Sequence, residues 1–274
     1  MSLFNIDAQA CEGCGICVAI CPLGIIEMKE KRTPPTPTKG AARFCIKCGH
    51  CVAVCPHGAI SLAVMRSTDC QPVRRDLLPS LEQLEAVIRA RRSIRVYKDK
   101  PVGREQFTRL LDIVRYAPTG KNTQHLHWLV IEGQDKLKPL VEKCIDWMRD
   151  TVERKDPMAL AFGMKMVIKE WEKGGDPVLR NAPALVVVHA PKEYAGGFAD
   201  STVALTTFEL TAFTAGLGTC WAGFFQIGAT QWPDLREALG LPDGHVSCGA
   251  MMVGYPKFRY QRVPERKELR ITWR

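Results

Sequence analysis

The chain has 274 residues, 46% of them hydrophobic and 24% charged, with a formal net charge of +9. That apolar content can bury a substantial core, and no run of 18 apolar residues is present to suggest a membrane span. Lys and Arg are scattered except around residues 89–95 and 259–274, which speaks against a nucleic-acid partner. The polar opening MSLFNIDAQA lacks the apolar stretch of a signal peptide, so a cytoplasmic location is expected.

The first elements along the chain are two matching cysteine runs. Cys11, Cys14, Cys17 and Cys21 read C-x2-C-x2-C-x3-C-P, closed by Pro22. Cys45, Cys48, Cys51 and Cys55 repeat the pattern, closed by Pro56, and every ligand position recurs after 34 residues. Val18-Ala19 matches Val52-Ala53, Gly24 matches Gly58 and Ile26 matches Ile60, as a duplicated half-domain would. Paired disulfides would suit a secreted chain, and zinc sites use C-x2-C knuckles rather than four cysteines in eleven residues. The runs resemble the two-[4Fe–4S] bacterial ferredoxins. That resemblance implies Cys11, Cys14, Cys17 and Cys55 on one cluster, with Cys45, Cys48, Cys51 and Cys21 on the other. Gly13, Gly15 and Gly49 would let backbone N–H groups approach the sulfurs. Cys70, Cys144, Cys220 and Cys248 stand singly and read as small apolar residues. His50 and His57 read as packing or solvent-facing, because the cysteines already supply every ligand.

Residues 1–65 are therefore expected to form a two-cluster ferredoxin domain, its halves joined by the loop KEKRTPPTPTKG. Residues 66–80, polar and carrying Pro72 and Pro79, read as a linker. Ser80 is placed to cap a helix over LEQLEAVIRARR, with Gln83 at the capping-box position. Apolar residues at 107, 110, 111, 113 and 114 predict a second helix. LHWLVIE predicts a strand, residues 135–151 and 157–173 predict helices, and the valine-rich ALVVVHA predicts a buried strand. A long apolar helix over 199–216 and a strand in CGAMMVGYP complete residues 81–274. Strands interleaved with helices indicate a layered α+β fold.

Four segments in this second part carry a further resemblance. Residues 91–95 read RRSIR, 117–128 read APTGKNTQHLHW, 216–224 read GLGTCWAGF, and 254–264 read GYPKFRYQRVP. In this order and spacing they resemble the FMN-dependent nitroreductase family over roughly residues 80–274. The resemblance implies a three-layer α/β/α domain with a mostly antiparallel mixed sheet, and a homodimer with FMN at its interface. It implies that Arg91, Ser93 and Arg95, joined by Arg262, clamp the flavin phosphate, a dianion suited to guanidinium donors. Arg92 would contribute through its backbone. Pro118, Thr119, Asn122 and Gln124 would reach the flavin of the partner subunit. Gly223 would bring its backbone N–H beside flavin N5, next to Ala222. Ala222 stands where some members carry glutamate, and His125 stands where proline is usual. No side chain is expected to be catalytic.

The implied activity is that of a flavin-dependent oxidoreductase. Electrons would pass from a low-potential donor such as reduced ferredoxin through two [4Fe–4S] clusters to FMN. FMN exchanges one or two electrons, so it can join this wire to a two-electron acceptor: a nitroaromatic, a quinone or an activated alkene. Low-potential clusters point to an anaerobic cytoplasm. Two other readings stay open: an NAD(P)H-dependent nitroreductase with structural or sensory clusters, and a non-enzymatic electron carrier. Residues 133–181 are expected to form a lid that sets substrate choice. There, Trp147, Met148, Phe162, Met164, Met166 and Trp171 could line a pocket, although helical spacing favours core packing.

Overall fold

The 34-residue repeat is visible in the backbone itself. In this computed structural model, which describes residues 3–274, each cysteine run turns through a left-handed glycine into a short helix. Gly15 (φ 76°) precedes α1 (Ile16–Ile20), and Gly49 (φ 73°) precedes α3 (His50–Val54). Cys21 and Cys55 end those helices with φ/ψ of −69°/113° and −70°/116°. The two halves are thus the same turn–helix–turn unit built twice. A side chain on Gly13 (φ 62°) would lie 2.6 Å from the Arg32 Cα, so the first loop admits only glycine there.

The chain divides into two units. One runs to Leu78 and also takes in Gly120–Thr123; the other holds Pro79–Thr119 and Gln124–Arg274. In the first, β1 (Phe4–Ile6) pairs antiparallel with β4 (Ile60–Leu62), and β2 (Ile26–Glu27) pairs with β3 (Thr36–Pro37). The short helix α2 (Ala41–Phe44) leads into the second cysteine run. Phe4, Ile25, Ile26, Val52, Ile60 and Leu62 form its small core.

The second unit begins with α4 (Leu81–Ala90). Ser80 and Gln83 make the expected capping box, each side chain accepting from the other's backbone N–H. Then come α5 (Arg104–Val114), β5 (His127–Glu132), α6 (Gln134–Glu153), α7 (Pro157–Ala161), α8 (Met164–Glu172), β6 (Ala184–Pro191) and α9 (Gly197–Thr214). The chain ends with β7 (Gly218–Trp221), α10 (Gly223–Gln231), α11 (Pro233–Ala238), β8 (His245–Gly254) and an exposed, irregular segment. The sheet runs β5-β6-β8-β7 with antiparallel pairing throughout, plus one parallel bridge from Ser93 to Thr219.

Period-two alternation sorts β6 between two cores. Leu185 and Val187 face one, with α6, α10 and α11; Ala184, Val186 and Val188 face the other, with α5 and α9. The result is the three-layer α/β/α arrangement with both sheet faces covered. Among the described residues no helix is long and apolar enough to cross a membrane.

Two expectations are corrected. Residues 133–181 are not a lid as a whole: α6 is a core helix, with Trp147, Met148 and also Met164 of α8 fully buried. Only Phe162 and Met166 among the named residues are exposed, while Trp171 packs half-buried against the core. The single helix expected over 157–173 is two, because Gly163 adopts φ 61° between them.

Gly218 and Gly254 lie opposite each other on β7 and β8. They let residues 93–98 pass against the sheet. A Cβ on Gly254 would sit 2.6 Å from Pro183 Cδ and 2.7 Å from Tyr97 Cδ1. Gly254→Ala is therefore expected to cost about 1–3 kcal/mol, and a thermal melt beside the wild type reads it as a lower Tm.

Candidate functional site

The thiols gather in two crossed sets. Cys21, Cys45, Cys48 and Cys51 line one small cavity, and Cys11, Cys14, Cys17 and Cys55 line another. The exchange of Cys21 and Cys55 between runs follows from the extended backbone that carries each of them out of its own loop. None of the twelve cysteines is in a disulfide. Burial, and after it repulsion from Cys48 and Cys45, pushes the Cys51 thiol up to about 11, against an opposing hydrogen bond from the Val52 backbone. Burial likewise raises Cys17. Four thiolates in so small a space need a multiply charged cation among them, which is the donor set an iron–sulfur cube takes. His57 contacts Glu12 at 3.3 Å, and His50 lines the first cavity.

In the second unit, residues 91–98 form a strap between β7 and the segment after β8. Ile94 N–H donates to the Thr219 carbonyl, Lys98 N–H to that of Tyr255, and Lys257 N–H to that of Val96. The Tyr97 hydroxyl closes the turn by donating to Ile94 O at 2.6 Å; burial pushes that phenol well above its usual range. The strap divides two clefts. Arg91, Arg92, Lys98, Lys257 and Arg259 share one of about 480 Å³ that no acidic side chain lines. Arg95, Arg180, Cys220, Trp221, Gly223 and Phe224 share the other, of about 270 Å³.

The proposed phosphate clamp is thus distributed. Arg91 and Arg92 face the first cleft and Arg95 the second, while Arg262 lies on the exposed C-terminal segment and lines neither. Arg91 already has a partner: its Nη1 donates to Oε1 of Glu209 at 2.8 Å, a carboxylate only 8% exposed. The remaining guanidinium N–H groups stay available to an anion. Arg92 Nη2 donates to the Arg89 carbonyl, whereas its Nε is buried with no partner, an orphaned donor that a phosphate oxygen would satisfy. Beside the second cleft, Cys220 is raised by burial, opposed by Arg95, the Ser93 hydroxyl and Arg180. Ala222 N–H is committed to the Ala250 carbonyl, and Gly223 opens α10 with empty space where a side chain would be. These residues fit a phosphorylated flavin: cations for the phosphate, an open backbone position for the ring.

Within this chain the 117–125 loop makes contacts of its own. Thr119 Oγ1 accepts from Gln124 N–H, and Pro118 is exposed. Asn122 lies within the first unit, its Nδ2 donating to the carbonyls of Ile46 and Lys47, both at 3.2 Å. His125 packs edge-on against Tyr194. Sequence reading missed Glu209 and Arg180. Glu209 had a signal, since it and Asp200 are the only acids in the apolar run over 197–214. Arg180 had none: it sits in a loop organised by Asp176, which accepts from the backbone of Val178, Leu179 and Asn181.

Comparison with known proteins matches the nitroreductase family model over residues 88–255 and a 4Fe-4S dicluster domain over residues 10–60. The chain belongs to the nitroreductase family. It is an FMN-dependent oxidoreductase of that family, with an iron–sulfur module ahead of its nitroreductase domain. A protein of Archaeoglobus fulgidus, whose description offers NADH dehydrogenase or NAD(P)H nitroreductase, is 29% identical over 65% of this chain and 87% of its own length. A 4-nitrobenzoate reductase of Nocardioides sp. is 28% identical over 70% of this chain and 88% of its own length. A nitroreductase of Bacteroides fragilis, solved with bound FMN, superposes with a TM-score of 0.56 at 22% identity, covering 70% of this chain and 99% of that one.

Proposed function

We propose that this nitroreductase-family chain takes electrons from a low-potential donor through two [4Fe–4S] clusters to FMN and delivers them to a small organic acceptor, namely a nitroaromatic, a quinone or an activated alkene. The observation that carries the reading is the pair of crossed four-thiol cavities in the same chain as a cation-lined nitroreductase cleft. When bound, the clusters supply single electrons and the flavin supplies a two-electron reductant. The chain's own residues bind and orient. Cys11, Cys14, Cys17 and Cys55 hold one cluster, and Cys21, Cys45, Cys48 and Cys51 the other. Arg91, Arg92, Ser93, Arg95 and Arg262 hold the phosphate end of FMN, while Gly223 presents its N–H to the ring. Pro118, Thr119, Asn122 and Gln124 come from the partner subunit of a homodimer. The exposed apolar residues Leu269 and Trp273 of the C-terminal segment suit such an interface.

The description of the Archaeoglobus relative favours a second reading, in which NAD(P)H reduces the flavin directly and the clusters are structural or sensory. Metal, sulfide and flavin analysis of anaerobically purified protein tests what both readings share. About eight iron, eight acid-labile sulfide and one FMN per chain are expected; zinc in place of iron, or no flavin, contradicts the proposal.

A further inference from the structure

Three of the six histidines meet at one end of the four-stranded sheet, among residues that line neither the thiol cavities nor the two clefts. His127 opens β5, His189 lies near the end of β6 and His245 opens β8. Antiparallel pairing sets His127 directly opposite His189. A register shift between Val188 and His189 adjusts β6 against β8, where His245 pairs with Pro191. The ring centroids are 5.4 Å apart for His127–His189, 4.9 Å for His127–His245 and 5.0 Å for His189–His245. The Nδ1 atoms of His189 and His245 face each other at 2.9 Å. His189 is buried, His245 half-buried and His127 exposed.

Packing alone does not call for this triangle. Each ring is polar and stands in a largely apolar strand; His189 and His245 turn nitrogen toward each other, while the His127 ring stacks on His189. Three imidazoles bound to one tetrahedral ion at about 2.0–2.1 Å would hold their centroids about 5 Å apart and their donor atoms about 3.3 Å apart. All three observed centroid distances fall close to that value; the His189–His245 Nδ1 pair at 2.9 Å is a hydrogen bond between the metal-free rings, shorter than the bound spacing. We propose that His127, His189 and His245 bind a single divalent transition-metal ion of the zinc or nickel type through one nitrogen each, with the fourth position open to water on the side of exposed His127. Imidazole donors without a carboxylate select such ions over magnesium or calcium. Among the described residues no group of three or more His, Cys, Asp or Glu is arranged to hold a single metal ion, so binding here requires a ring to move. His127 is exposed, so its ring has room to turn, whereas His189 is buried.

Tag-free holoprotein, treated with chelator, desalted anaerobically and checked for unchanged cluster and flavin absorbance, would be titrated with zinc chloride by calorimetry. One zinc per chain is expected, with magnesium chloride unable to compete. His127→Ala and His245→Ala should each weaken binding at least as much as the 10–100-fold typical of losing a ligand's hydrogen-bond partner, roughly speaking. His127 is exposed, so that variant keeps the fold intact. Zinc X-ray absorption should show nitrogen and oxygen neighbours at about 2.0 Å and no sulfur at about 2.3 Å. No saturable zinc binding, equal affinity in the variants, or sulfur in the coordination shell would overturn the proposal.

Discussion

Cys14→Ala and Cys48→Ala are each expected to lower turnover with a reduced ferredoxin-type donor by at least about a hundredfold, because each removes one corner of a cube. Cys14 belongs to the cavity shared with Cys11, Cys17 and Cys55; Cys48 belongs to the one shared with Cys21, Cys45 and Cys51. The crossed sets make the two losses similar. Cys21 and Cys55 each tie one run's cavity to the other run, so disorder at one centre reaches its neighbour. Cys70→Ala is the control: that thiol is exposed and lines neither cavity. It should leave turnover unchanged. Steady-state product formation under anaerobic conditions reads all three, and full activity in Cys14→Ala and Cys48→Ala would remove the clusters from the electron path.

Arg91→Ala is expected to destabilise the nitroreductase domain by about 3–5 kcal/mol, because it strands a buried carboxylate. Glu209 is buried in α9, and Arg91 Nη1 is its ion-pair partner at 2.8 Å. Glu209→Gln in the same chain removes the charge that is stranded, so the double variant should recover much of the loss. For a domain of this size the single variant would fall on the order of 10 °C in Tm. A cycle of the two single variants and the double one gives the coupling. Additive losses would mean that the pair is not what holds Arg91. The outcome also bears on flavin binding, since Glu209 aims the guanidinium whose other N–H groups are proposed to meet the phosphate.

What could be read from sequence divides by range. The cysteine runs are local and so legible, and the ferredoxin resemblance they carry anticipates which thiols gather. The valine run of β6 and the capping box at Ser80 are legible for the same reason: a strand's period or a helix's first turn needs only neighbouring residues. The break between α7 and α8 turns on the φ of one glycine, Gly163, which the apolar pattern around it masks. Long-range pairings were not legible. Arg91 finds Glu209 across 118 residues, and only the packing of α9 beneath the strap brings them together. The clamp over residues 91–95 reads as one short unit, yet the strap runs between two clefts and turns Arg91 and Arg95 to different ones. The three histidines carry no spacing signal, because cross-strand register assembles them. The expected lid failed on burial: α6 has the composition of a surface segment in part, but its apolar stripe, centred on Cys144 and Trp147, fills the space under the sheet.

The central claim is that electrons enter through the iron–sulfur module. Anaerobic stopped-flow mixing of the oxidised holoprotein with reduced ferredoxin, NADH or NADPH tests it most directly, with cluster and flavin absorbance followed together. The account predicts that the ferredoxin-type donor bleaches the clusters first and the flavin after them, and that this flavin phase disappears in Cys14→Ala and Cys48→Ala. Rapid flavin reduction by NADH or NADPH, unchanged in those variants and with the clusters still oxidised, would contradict it.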